Sequence, residues 1–295
     1  MKQPLAHLMA IAAAILWGTT FVSTKILLDH GLSPAAIMLY RFLLAYILIL
    51  PITIKQTRVA PLRDELRFLA LGLSGGSLYF IAENVALQHT LTSNVAILVC
   101  TAPLFTAFLA KAFLREQLKP LQWYGSILAM TGVVIIVANG NPSIHLDLTG
   151  DLLGIAAAIS WGTYTVIARQ LDNRYHTLLV TRKVFFYGLI TLLPFLLLAP
   201  ETLDVAPLRR PAVIWNLLFL GAIASFLCYI LWNRAIQQLG ATRASNYIYL
   251  NPLVALLTAA IVLSEQLATG AAAGALLILA GVYLGERQKP LKQQP

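Results

Sequence analysis

The sequence predicts an all-α integral membrane protein: ten transmembrane helices forming two inverted-topology five-helix repeats around a central cavity. Three observations predict it. Of the 295 residues, 59% are hydrophobic and only 11% charged, against about 45–50% and about 25% in soluble domains, and the mean hydropathy is +0.77. The apolar residues fall in ten stretches of membrane-crossing length, and the chain is written twice. Composition alone excludes a soluble enzyme, a disulfide scaffold and a disordered chain.

A helix needs about 20 apolar residues to cross the hydrocarbon. Such stretches lie near 7–25, 35–54, 66–88, 94–114, 121–139, 151–170, 177–199, 212–236, 244–263 and 269–286. Connections are short. Barrel strands would show alternation over about 9–11 residues, and no stretch alternates over that length. Lys2 ahead of an apolar run resembles a signal peptide, but the segment recurs later in the chain and therefore belongs to the fold. Cys100 and Cys228 fall inside spans and read as buried thiols. No two histidines stand at metal-ligand spacing, so no metal or other cofactor is expected.

The net charge of +9 reports orientation. With the N-terminus in the cytoplasm, seventeen Lys and Arg residues fall on that side and four (Lys25, Arg41, Arg209, Arg210) on the other. This is the positive-inside bias. It predicts both termini in the cytoplasm of a bacterial inner (plasma) membrane and requires no nucleic-acid partner.

The duplication is plain. IAAAILWGTTF from Ile11 and IAAAISWGTYT from Ile155 agree at eight of eleven positions. Further on, an offset of 149 lays Pro103 on Pro252, Glu116 on Glu265, and Gly125 and Gly132 on Gly274 and Gly281. The expected units are residues 1–139 and 150–287, followed by a cytoplasmic tail, 288–295. Five spans per half is an odd number, so the second copy enters the membrane upside down. Inverted repeats can trade conformations around a midplane site, which is the mechanics of alternating access. The plain alternative is a duplicated bundle with no transport role.

These tandem five-helix halves, the WGT segment in the first span of each, and the Pro-x12-Glu spacing through the fourth and ninth spans resemble the drug/metabolite transporter superfamily, EamA-type branch. The resemblance covers about residues 7–287. It implies a ten-helix basket with a central substrate cavity and a small metabolite, often an amino acid, moved outward.

Among the candidate substrate-binding residues, Glu83 stands out, because an ionisable group inside a span is costly and marks function by default. It follows Tyr79 on one helical face and either holds a substrate amine or exchanges a coupling proton; the plain reading is a carboxylate hydrated near the outer surface. Its counterpart in the second half is Trp232. Trp17 and Trp161 lie mid-span, where an indole N–H needs a partner; they read as cavity wall or packed core, with Thr20 and Tyr164 as matched neighbours. Asn84, Tyr229, Asn233, Tyr247 and Asn251 add amide and aromatic groups, and Tyr247 shares a face with Asn251. As a group they read as cavity lining, although each could serve as an interhelical hydrogen bond.

Pro103 and Pro252 sit mid-span and free the carbonyls of Val99 and Ile248. Each proline reads as a hinge or as a static kink; with Gly72, Gly75 and Gly76 they are the expected flexible points. Glu116 and Glu265 read as structural, each favouring the N-terminus of the next helix. Arg41 reads as snorkelling outward, with Arg182 as its inner counterpart. Gly270, Gly274, Gly281 and Gly285, with Gly125 and Gly132, form small-residue stripes for close packing or a homodimer seam. An intramembrane enzyme is the rival class, but no mid-span histidine stands ready as a base, and Ser77 has no evident partner. The expected function is a secondary carrier for a small amphipathic metabolite in the lipid bilayer, with protons as the coupling ion under consideration; a channel or a structural membrane protein is the alternative.

Overall fold

Ser33 opens the second helix of the first half and Asp147 the first helix of the second. The Ser33 Oγ accepts the Ala36 N–H at 3.1 Å and Asp147 Oδ1 accepts the Gly150 N–H at 2.7 Å, each satisfying one of the donors that a helix start leaves without a partner. The computed structural model describes residues 3–55, 60–90, 92–116, 120–140, 147–171, 174–198, 206–262 and 270–286. Glu265 and the tail 288–295 lie outside the described residues. Within them run ten membrane helices: α1 (Gln3–Asp29), α2 (Pro34–Thr53), α3 (Leu62–His89), α4 (92–114), α5 (Pro120–Gly140), α6 (Leu148–Gln170), α7 (Thr177–Leu198), α8 (Pro211–Leu239), α9 (Ala241–Val262) and α10 (Ala271–Glu286). Seven are individually long and apolar enough to cross a membrane. Their outer faces carry large apolar side chains, including Ile47, Ile127, Leu197 and Ile261, as a lipid-facing surface requires.

Packing follows the duplication. Helix α1 lies against α8 and α9 of the second half, and α6 lies against α3 and α4 of the first. Helix α2 packs on α7, and α5 on α10. Each half thus lends its first helix to the other, and the two halves close around one centre.

The glycine stripes pair α5 with α10 inside the chain. A Cβ at Gly125 would meet the Gly281 carbonyl oxygen at 2.6 Å, and one at Gly132 would meet Ile278 N at 2.8 Å. Only a bare backbone allows this approach. These glycines face each other within the chain.

Both third helices break their regular turn. α3 carries a π-helical stretch at Leu73–Ser77, with Gly76 non-helical at φ −124°, ψ −105°, and α8 carries one at Phe219–Leu227. The offset of 149 lays the first on the second. A π stretch shifts the backbone ladder and exposes carbonyls to outside donors, and both stretches are used in this way at the centre of the molecule.

Candidate functional site

The fourth and ninth helices supply the floor of the site. α4 is interrupted at Cys100 and Thr101, between Thr92–Val99 and Ala102–Leu114. α9 passes through a 3-10 turn at Tyr247–Leu250 before Asn251–Val262. Pro103 and Pro252 each stand in the first turn of the second segment, where a missing N–H costs least. Val99 and Ile248 both border the central cavity, and the Cys100 thiol donates to the Ile248 carbonyl at 3.7 Å.

The cavity is lined by Trp17, Thr20, Phe21, Arg41, Tyr79, Phe80, Glu83, Val99, Trp161, Ile248 and Asn251. Residues from α1, α2, α3, α4, α6 and α9 therefore converge, from both halves. The aromatic wall is continuous: Trp17 meets Trp161 edge-on with ring centroids 5.0 Å apart, and Tyr79 lies 5.0 Å from Trp161.

The two tryptophans differ in one bond. Trp17 Nε1 donates to the Ala224 carbonyl in the π stretch of α8, at 2.8 Å. By symmetry Trp161 should donate to Gly75 in α3, but the Tyr229 hydroxyl already donates there. The buried Trp161 N–H is left without a hydrogen bond, as is the buried Asn251 Oδ1. An unspent buried donor is costly, and here it stands beside a cavity.

Of the twelve predicted binding residues, the structure brings Trp17, Thr20, Tyr79, Glu83, Trp161 and Asn251 to the cavity. The other six lie behind or beyond it. Tyr164 donates to Asn233 Oδ1 at 2.7 Å, and Asn233 donates onward to Thr181 at 3.1 Å. Trp232 is fully buried, 5.1 Å from the Trp17 ring. Tyr229 reaches Gly75, and Asn84 Nδ2 lies 3.4 Å from the Pro34 carbonyl. Tyr247 bonds His7 at 2.6 Å. It leaves the face of Asn251 because 3-10 geometry rotates successive side chains further than an α-helix does.

Two expectations about charge change. Glu83 is not hydrated at the surface: it is 6% exposed, beside Tyr79. Arg41 does not snorkel. It is 2% exposed, its Nε donates to Ser225 Oγ at 3.0 Å, and its guanidinium lies over Phe80, 4.0 Å from the ring centroid. Reading by depth missed it; the available signal was that an arginine seven residues inside a span needs a partner. Arg182 is structural, donating to the Thr53 carbonyl at 2.7 Å. Glu116 does favour a helix N-terminus, but across the repeat boundary: it accepts from Ala241 N at 3.3 Å and Thr242 Oγ1 at 2.7 Å, at the start of α9. Arg115, left-handed at φ 56°, ends α4 immediately before it.

Further bonds join the halves at that same end. Asp64 accepts from Arg67 at 2.6 Å and from Tyr175 at 2.9 Å, and Glu65 accepts from Lys183 at 2.7 Å and from Tyr187 at 2.5 Å. Tyr175, Lys183 and Tyr187 belong to the second half. These bonds lie at the end of the bundle opposite the Arg41–Glu83 region.

Comparison with known proteins agrees with this architecture. An uncharacterized transporter of Archaeoglobus fulgidus is 30% identical over 282 residues, covering 94% of this chain and 96% of its own. A probable amino-acid metabolite efflux pump of Salmonella typhimurium is 29% identical over 283 residues, covering 94% and 93%. A probable terminal-alkyne amino-acid exporter of Streptantibioticus cattleyicolor is 27% identical over 292 residues, covering 98% and 95%. A solved crystal structure shares the fold with a TM-score of 0.75 at 17% identity, over 95% of this chain and 96% of that one. The profile of the EamA-like transporter family matches twice, at residues 4–138 and 148–285. A multi-pass bundle built from two copies of that unit leaves one assignment: the chain belongs to the EamA-like transporter family.

Proposed function

We propose that the central cavity is the transport site of a secondary carrier that exports one small amphipathic metabolite, an amino acid or similar, across the bacterial inner membrane. The observation that carries this reading is a buried carboxylate, Glu83, in an aromatic cavity to which both repeats contribute. Intramembrane carboxylates are costly and are kept where they bind a cation or a proton. The repeats, residues 1–139 and 150–287, would exchange conformations about this site, with both termini and the tail 288–295 in the cytoplasm. In that orientation the Asp64, Glu65 and Glu116 bonds would join the halves at the cytoplasmic end. Two relatives whose names specify amino-acid export support the substrate class and direction.

The test is transport by the purified chain in liposomes, using hits from a thermal-shift panel of metabolites. Saturable counterflow and accumulation driven by an imposed proton gradient are expected. Unsaturable flux indifferent to the gradient would mark a channel and end the reading.

Trp17→Ala and Trp161→Ala should each weaken binding of the transported metabolite by about tenfold or more, since a lost aromatic wall removes about 1.5–3 kcal/mol of apolar burial. Titration of intrinsic fluorescence measures this. Unchanged affinities in both variants would return the two indoles to the packed core.

A further inference from the structure

The cavity holds two opposite charges that do not touch. Arg41 and Glu83 both line it and interact electrostatically. They do not close an ion pair of the kind that Lys183 and Glu65 make at 2.7 Å. Among the described residues, the hydrogen bond of the Arg41 guanidinium is the one from Nε to Ser225. That bond and the Phe80 ring beneath it fix the plane of the group and leave its two terminal amino groups as a fork. A fixed guanidinium fork matches the two oxygens of a carboxylate.

Separated opposite charges in a buried site are expensive, because each has lost water and gained only neutral partners, Ser225 and Phe80 for Arg41 and Tyr79 for Glu83. Collapse of Arg41 onto Glu83 would relieve both, but Ser225 and Phe80 hold the arginine back. A ligand that relieves both must bring an anionic group to Arg41 and a cationic group to Glu83. Resting on the reading of this cavity as the transport site, we propose that Arg41 and Glu83 form a two-charge clamp that selects zwitterions. Arg41 takes the carboxylate, Glu83 the ammonium, and Trp17, Phe21 and Trp161 an apolar side chain. The unspent Trp161 N–H and Asn251 Oδ1 add one donor and one acceptor to the wall. Arg41 is then a specificity-determining residue: an amine lacking a carboxylate strands Arg41, and an acid lacking an ammonium strands Glu83. Sites built around polar partners reject the analogue that leaves one of them unpaired.

The experiment is a ligand ladder on the purified full chain, read by calorimetric titration. L-phenylalanine and L-leucine are compared with phenethylamine and 3-methylbutylamine, which lack the carboxylate, and with 3-phenylpropanoate and 4-methylpentanoate, which lack the ammonium. Each zwitterion should bind at least about tenfold tighter than its singly charged analogues, as loss of a charged hydrogen bond predicts. Arg41→Gln should erase the preference for amino acid over amine, weakening amino-acid binding and strengthening amine binding because the stranded cation is gone. Ser225→Ala, which frees the fork, should reduce the preference partly. The wild-type ladder stands even if a variant fails to fold. Equal binding along it, or no binding by any of the twenty standard amino acids, would overturn the clamp. Counterflow of a singly charged metabolite would overturn the clamp and leave the carrier reading standing. A clear ladder without counterflow would support the clamp and remove the carrier reading.

Discussion

Glu83→Gln is expected to reduce gradient-driven transport in liposomes to the level of protein-free vesicles, while the protein stays folded and monodisperse. The amide keeps the size of the side chain and its place beside Tyr79, so packing is preserved. What disappears is the negative charge. A neutral amide neither attracts an ammonium group nor exchanges a proton, so both roles open to Glu83 fail together. Arg41 is then the nearest strong charge in the cavity and lacks its counterweight, which makes cation binding worse still. Size-exclusion chromatography establishes the fold, and uptake under an imposed proton gradient establishes the loss. Wild-type rates in the variant would return Glu83 to a packing role.

Gly281→Ala should destabilise the bundle by about 3 kcal/mol, the upper range for overpacking a tight contact. The new methyl would lie 2.5 Å from Ala129 N and 2.5 Å from the Gly125 carbonyl oxygen. Both are backbone atoms of α5 and cannot move without carrying the helix away from α10. Gly285→Ala is the control. Its methyl meets the Asn246 side-chain amide at 2.9 Å, the end of a side chain that can turn aside, so its cost should be much smaller. Thermal unfolding followed by tryptophan emission compares the two. Equal melting temperatures would mean that the α5–α10 seam is looser than described.

Much of the architecture was legible in the linear chain. The apolar stretches anticipated the ten helices to within a few residues, and the helix breaks in α4 and α9 stand where the two prolines put them. Glu83 was legible because a carboxylate in a span has few reasons to be there. The indole pair was legible because it recurs. Arg41 was misread because depth along one helix suggested an escape to water, while the partner that holds it, Ser225, lies on α8. Tyr164 and Asn233 were misplaced for a related reason. A polar side chain in a span looks the same whether it faces a cavity or a neighbouring helix, and these two face each other.

Composition and repetition are properties of the chain read in order, and they settle the solvent, the number of crossings and the twofold plan, because apolar length and duplication need no knowledge of what packs where. Which polar atoms finish with spare hydrogen-bonding capacity is another matter. Trp17 and Trp161 occupy matching places in matching segments, yet one indole is bonded and the other is not, because Tyr229, from the same half as Trp161, takes the Gly75 acceptor on the opposite half. Only the assembled bundle decides such competitions, since the competing groups lie far apart in sequence and meet only when the two halves close.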